Sequence, residues 1–263
     1  METVEELRLH YEKMKEKSEA QTYRMVRAYL YNTLIRYKTI AVNEAPAAAE
    51  NRLNEIQRED FQKLFEEIYL KVGLFFYQDQ KNRLEQYKDK DTPNVDFFSL
   101  IWRQIVVNAT STLEIASLIT RVTENTKTMI RALLVKAAAE RMAPRDIAKL
   151  FNAEKVIFTK SRALTIARTE VGRAASIGIE QAAKDSQLEL LTVWHHSAIG
   201  NYRENHRPLN GKYVKKGEVF KVGDVTMKYP HDPSGGASEV INCRCTHSYV
   251  TRRSAEALGI ERS

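Results

Sequence analysis

From Glu2 to about Asn43 the chain has no glycine and no proline, so nothing in that stretch interrupts a helix. Tyr23, Met25, Val26, Tyr29, Leu30, Leu34, Ile35 and Tyr37 recur at spacings of three and four, which predicts one long amphipathic helix, clearest from about Ala20 onward. Its first half, through Glu5, Glu6, Glu12, Lys13, Lys15, Glu16, Lys17 and Glu19, is nearly all charged. That half is expected to be a solvated extension or an arm that packs on a partner. Pro46 ends this helix or opens the next, since proline is tolerated at the first helical position.

Helical grammar continues for most of the chain. Leu53, Ile56, Phe61, Leu64, Phe65, Ile68, Tyr69 and Val72 form a second stripe, and Gly73 is a candidate kink. Lys88–Asn94 is charged, holds Pro93 and has no apolar residue, so it reads as a linker. Phe97, Phe98, Ile101, Trp102, Ile105 and Val106 start a third helix. Ser111 to Glu114 has the pattern of a capping box ahead of Ile115 and Leu118. Thr126–Met142 is a strong helix, and Pro144 starts a short one. Ser161–Lys184 is the last long helix; its small residues, Ala163, Ala167, Gly172, Ala174, Ala175 and Gly178, allow another backbone to approach closely. On it Glu170 and Arg173 stand at i and i+3 and can pair, expected as a solvated ion pair. The regular periodicity marks the aromatic stripes as core rather than cofactor contacts, and there is no glycine-rich phosphate loop.

After Ser186 the pattern changes to short alternating runs separated by Gly211, Gly217 and Gly223, with a final strand expected over Ile241–Val250 and a frayed tail over Leu258–Ser263. The expected class is α+β: a long amphipathic helical N-terminal part followed by a small, mostly antiparallel β-sheet domain. The expected division is a helical body over 1–155, with its linker near 88–94, and a second domain over 156–263.

Charge is unevenly distributed along the chain. The net formal charge is +7; from Lys160 onward there are 16 Lys and Arg against 11 Asp and Glu, leaving the remainder at +2. A basic C-terminal part suggests a polyanion or an acidic protein surface nearby, and solubility alone accounts for a balance of this size equally well. No window approaches the roughly 20 apolar residues of a membrane span, and the acidic start lacks a secretory apolar region, so no membrane partner is expected. Two cysteines two residues apart are not a disulfide framework, which favours a reducing folding environment.

Chemistry concentrates between Trp194 and His247, which hold both cysteines and five of the six histidines. Trp194, Arg203 with His206, the Leu209-Asn210-Gly211 turn, Pro230-His231-Asp232-Pro233 and Asn242-Cys243-Arg244-Cys245 follow in that order. This ordered set, with Ile166–Glu170 ahead of it, resembles the C-terminal domain of the phage Mu F-like (SPP1-type) minor head morphogenesis proteins over about residues 160–250. The resemblance implies a minor head protein of a tailed phage or prophage, acting in procapsid assembly at the portal vertex and in packaging or ejection of DNA. Implied partners are a portal protein, a capsid or scaffolding protein and double-stranded DNA bound without sequence preference. The implied location is inside the head near the portal, after assembly in the host cytoplasm.

The residues themselves leave several chemistries open. On a strand, Cys243, Cys245 and His247 would share one face; with His206 and His231 from facing loops, Cys243 and Cys245 would make a Cys2His2-like set for a structural zinc that staples a small domain. The alternative is a pair of small buried thiols, because C-x-C is not the usual zinc spacing. His206–Gly211 also resembles the first half of a ββα-metal nuclease motif, but the second half departs from it. A metal-dependent nuclease or toxin-like effector using His206, Glu239 and His231 is the competing class. Arg203, Arg207, Lys212, Lys215, Lys216, Lys221 and Lys228 outnumber the nearby acids and would suit phosphate contacts; a solvated strand edge explains them as well.

Overall fold

The computed structural model describes residues 3–87, 99–199 and 202–263. Its helices are α1 (Val4–Asn43), α2 (Pro46–Asn51), α3 (Arg58–Glu85), α4 (Ser99–Thr110), α5 (Leu113–Ala139), α6 (Pro144–Val156) and α7 (Arg162–Ser186). Then come β1 (Leu191–His195), β2 (Lys212–Lys215), β3 (Phe220–Val222), β4 (Val225–Met227), α8 (Gly236–Val240), β5 (Thr246–Val250), α9 (Arg252–Ala257) and β6 (Glu261–Arg262). Helices therefore precede a small, mostly antiparallel sheet, and the class is α+β. The expected linker at Lys88–Asn94 lies outside the described residues.

The chain forms two compact units, each assembled from separated segments. One comprises Gln21–Glu66 and Val107–Ala167 and is all helical. Pro46 occupies the first turn of α2, where its missing N–H is not needed. Leu30, Leu34, Phe61, Phe65, Ile130 and Leu134 are buried there, and the Tyr29 and Phe61 rings meet edge-on at 4.7 Å. Arg162 donates to Val122 O at 2.7 Å and to Thr126 Oγ1 at 2.6 Å, and burial lowers its pKa to about 10. The cap of α5 is Thr112, not Ser111: the Thr112 hydroxyl accepts from Ile115 N, which shifts the start by one residue.

The other unit comprises Met1–Ala20, Glu67–Val106 and Arg168–Ser263. Its sheet has the order β5-β1-β2-β6, with β1 antiparallel to β5 and β2, and β2 parallel to β6; β3 and β4 form a separate hairpin. Alternation along β1 serves two cores. Leu191 and Val193 pack with Val250, Ala255 and Ile260, whereas Trp194 packs with Phe220, Val222, Met227 and Val240.

Within this unit α3 and α7 cross at glycines, as the small-residue pattern predicts. A Cβ on Gly178 would stand 2.1 Å from Gly73 O, and one on Gly73 would meet the Trp102 ring at 2.5 Å. Gly73 thus serves close packing inside an unbroken α3 rather than a break in it. The Glu170–Arg173 pair is buried rather than solvated: Arg173 Nη1 donates to Glu170 Oε1 at 2.7 Å, and Tyr69 donates to the other oxygen at 2.7 Å.

Three further expectations do not hold. The charged start of α1 is no free arm, because Leu7, Tyr11, Met14 and Ser18 lie at helical spacing and are buried. Strand β5 begins only at Thr246, since Asn242 adopts φ 61° and breaks extended pairing. The end of the chain is not a loose tail: α9 turns it back at Gly259 (φ 64°), and β6 adds to β2.

Candidate metal centre

The residues between β1 and β5 are held by local hydrogen bonds that follow directly from their types. Gly211, at φ 71°, turns the chain into β2 and donates its N–H to Trp194 O at 2.9 Å. Asp232 accepts from Lys228 N at 2.7 Å and from Ser234 N at 3.0 Å, so it caps a short turn that Pro233 opens. This turn leads directly into α8, with Gly235 buried beneath the Met227 side chain. Pro230 is buried, and its carbonyl accepts from Ser176 Oγ on α7.

The closing Asn242–Cys245 segment is fixed from both flanks. Asn242 donates its N–H to Thr169 Oγ1 at 2.9 Å and accepts from Arg168 Nη1 at 3.3 Å. Arg168 and Arg244 both reach the buried Glu19 carboxylate on α1, at 3.5 and 3.1 Å. Arg203 donates to the carbonyls of Ser238 and Ile241, which ties α8 down. Most of the motif residues are therefore the frame of one loop cluster.

Inside that frame His206, Cys243 and Cys245 converge. Their ligand atoms lie within 4.8 Å of one another, and all three residues are buried. His206 Nδ1 stands 3.6 Å from Cys243 Sγ and 3.5 Å from Cys245 Sγ. Its Nε2 is 2.8 Å from Glu239 Oε2. A carboxylate accepts, so in the neutral ring Nε2 bears the proton and Nδ1 turns a lone pair to the two sulfurs, the tautomer a metal ligand requires. Trp194 covers the group edge-on, its ring 5.4 Å from that of His206. Asn205 Nδ2 donates to the same Glu239 oxygen at 3.1 Å and holds it in place.

The thiols are inequivalent. A hydrogen bond from the Cys245 thiol holds Cys243 well below the usual thiol range, whereas burial pushes Cys245 up. Beside them Lys15, buried on α1, donates to Cys245 O at 2.8 Å and lies 3.3 Å from His231 Nε2; burial lowers its pKa. Sequence reading missed Lys15 and Glu19 because they sit in a charged run; the signal was their register with Tyr11, Met14 and Ser18 on one helix face.

The structure leaves the other candidates apart from this cluster. His231 (φ 68°) rests against α7, where a Cβ on Gly172 would meet its ring at 2.1 Å. His247 lies in β5, bonded to Glu180 at 3.1 Å and stacked on Tyr229. Of the basic residues, Lys212 pairs with Glu261, and Lys216 donates to Ala183 O over the Tyr249 ring. Arg207, Lys215, Lys221 and Lys228 are exposed. Among the described residues, no single helix is long and apolar enough to cross a membrane.

These features define an α+β domain framed around a buried His-Cys-Cys group. Residues 120–248 match the family described as phage Mu protein F like protein, and this chain carries a phage Mu F-like domain there. An uncharacterized protein of Bacillus subtilis (strain 168), YqbB, is 29% identical over 201 residues, 75% of this chain and 64% of that one. The NAD(+)--arginine ADP-ribosyltransferase EFV of Enterococcus faecalis (strain ATCC 700802 / V583) is 36% identical over 104 residues, 38% of this chain and 21% of that one. The chain thus spans less than two thirds of the length of either relative. No solved structure matches it significantly.

Proposed function

We propose that this protein is a minor head morphogenesis protein of a tailed phage or prophage, acting at the portal vertex during procapsid assembly and in packaging or ejection of DNA. The phage Mu F-like domain at residues 120–248 is the observation that supports it. On this reading the helical segments supply contacts to portal, capsid or scaffolding protein, and the exposed Arg207, Lys215, Lys221 and Lys228 face DNA phosphates without reading bases. The protein then resides inside the head near the portal after assembly in the host cytoplasm. His206 favours a structural role over a nuclease or effector role. It is 1% exposed, and both ring nitrogens already face Glu239 or the thiols, so neither is free to act on an outside substrate.

The cofactor reading is a structural zinc at His206, Cys243 and Cys245, which would brace a sheet domain with a small core. The assembly reading is tested by co-expressing the protein with its cognate portal. Co-purification through size exclusion supports it; separate elution of two folded proteins counts against it.

A further inference from the structure

We infer that His196 completes the metal centre as its fourth ligand, with Glu239 as the positioning carboxylate of His206. This rests on the zinc reading of the His-Cys-Cys group and adds the fourth corner to it.

Two edges of the group, from His206 Nδ1 to each sulfur, already have the length of a tetrahedral edge. Bonds of about 2.3 Å to sulfur and about 2.05 Å to nitrogen, at the tetrahedral angle, set nitrogen and sulfur about 3.5 Å apart. The two observed separations are 3.5 and 3.6 Å. A thiol–imidazole hydrogen bond has a similar length, but the single Nδ1 lone pair serves one thiol only. An ion serves both sulfurs and the nitrogen at once.

Two histidines outside the group, His231 and His196, feel the charge of Cys243 and are the ones to weigh for the remaining corner. His231 Nε2 faces the Lys15 ammonium, which is a donor only, so that nitrogen is an acceptor and Nδ1 bears the proton. His231 Nδ1 also has no hydrogen-bond partner among the described residues, but it carries the ring's proton as long as Lys15 holds Nε2, so it offers no lone pair to an ion. His196 differs. It is 6% exposed, and its Nε2 has no hydrogen-bond partner among the described residues. It lies one residue beyond β1, and strand alternation puts it on the side of Trp194, whose ring packs on His206. Its backbone is pinned by Asn210 Oδ1, which accepts from His196 N at 2.9 Å, and its ring is edge-on to Tyr202 at 5.2 Å. The mutually close group consists of His206, Cys243 and Cys245, so ligation requires the His196 side chain to turn toward them.

The test uses the full chain loaded with zinc, and with cobalt(II) as a spectroscopic probe. We expect one ion per chain, tetrahedral cobalt absorption with thiolate charge-transfer bands, and X-ray absorption showing two sulfur and two imidazole-nitrogen ligands on the wild type. His196→Gln should weaken cobalt binding at least tenfold and replace one imidazole by oxygen, whereas His231→Gln should leave both unchanged. Glu239→Gln should weaken binding by about 10- to 100-fold while keeping all four ligands. Metal-free protein after loading overturns the zinc reading itself. A bound ion with a single imidazole in the wild type, or one lost in His231→Gln instead, overturns the assignment of His196. The wild-type absorption measurement decides the matter even where a variant fails to fold.

Discussion

The buried His206 imidazole pairs with the partly buried Glu239 carboxylate, Nε2 to Oε2 at 2.8 Å, which leaves His206 Nδ1 facing two thiols. Removing the carboxylate leaves the buried His206 Nε2–H without its partner. Glu239→Ala is therefore expected to lower folding stability by about 1–3 kcal/mol, read from the denaturant midpoint at constant m-value. An unchanged midpoint would mean the pair does not hold the loops together.

Gly172 is a contact glycine: helical, with its missing Cβ filled by the His231 ring. Gly172→Ala should destabilise by about 1–3 kcal/mol through overpacking. Adding His231→Ala should relieve part of that loss, because the two sites then share one space. Strict additivity in thermal melts of the double variant would contradict the packing described.

His195 sits on the other face of β1, bonded to Ser248 at 2.8 Å and stacked on Tyr11. Burial, and then the charge of His247, lower its pKa from 6.5 to about 3. The folded state therefore refuses a proton that the unfolded state takes up, and stability falls as pH drops from 6.5 toward 3. The integrated loss is roughly 3–5 kcal/mol. His195→Asn should flatten that acid limb relative to the wild type; parallel limbs for the two proteins would show that His195 is not responsible.

Helix was legible because periodicity alone dictates it, and the strands because glycines punctuate them; the small residues of α7 announced a close approach, but its partner α3 and the packing role of Gly73, expected as a kink, did not show in the sequence. The beginning of α1 was misread because charge was weighed above register, although Leu7, Tyr11 and Met14 already marked a buried stripe. Cys243 and Cys245 were placed on a strand face. They meet His206 instead from an irregular segment whose course depends on Asn242 at positive φ and on Arg203, Arg168 and Glu19 from distant positions in the chain. No local pattern encodes such braces. The choice between His231 and His196 likewise rests on the buried Lys15, which composition marks as surface.

The basic residues offer a test of the DNA reading. Lys215, Lys221 and Lys228 are exposed, whereas Lys212 and Lys216 have protein partners. Changing the exposed three to Glu should leave the fold intact and weaken binding to duplexes of any sequence, with the salt slope reduced by about 0.9 per lost phosphate contact. Changing Lys216 to Glu should chiefly reduce stability. Wild-type binding that is insensitive to salt would remove DNA from the account.

The central claim, a head protein, is tested most directly by the protein content of purified particles. Quantitative mass spectrometry of procapsids and mature virions made with the wild-type gene should find this chain in fixed proportion to the portal. Particles that assemble and package DNA with no trace of the wild-type chain in either form would contradict the account.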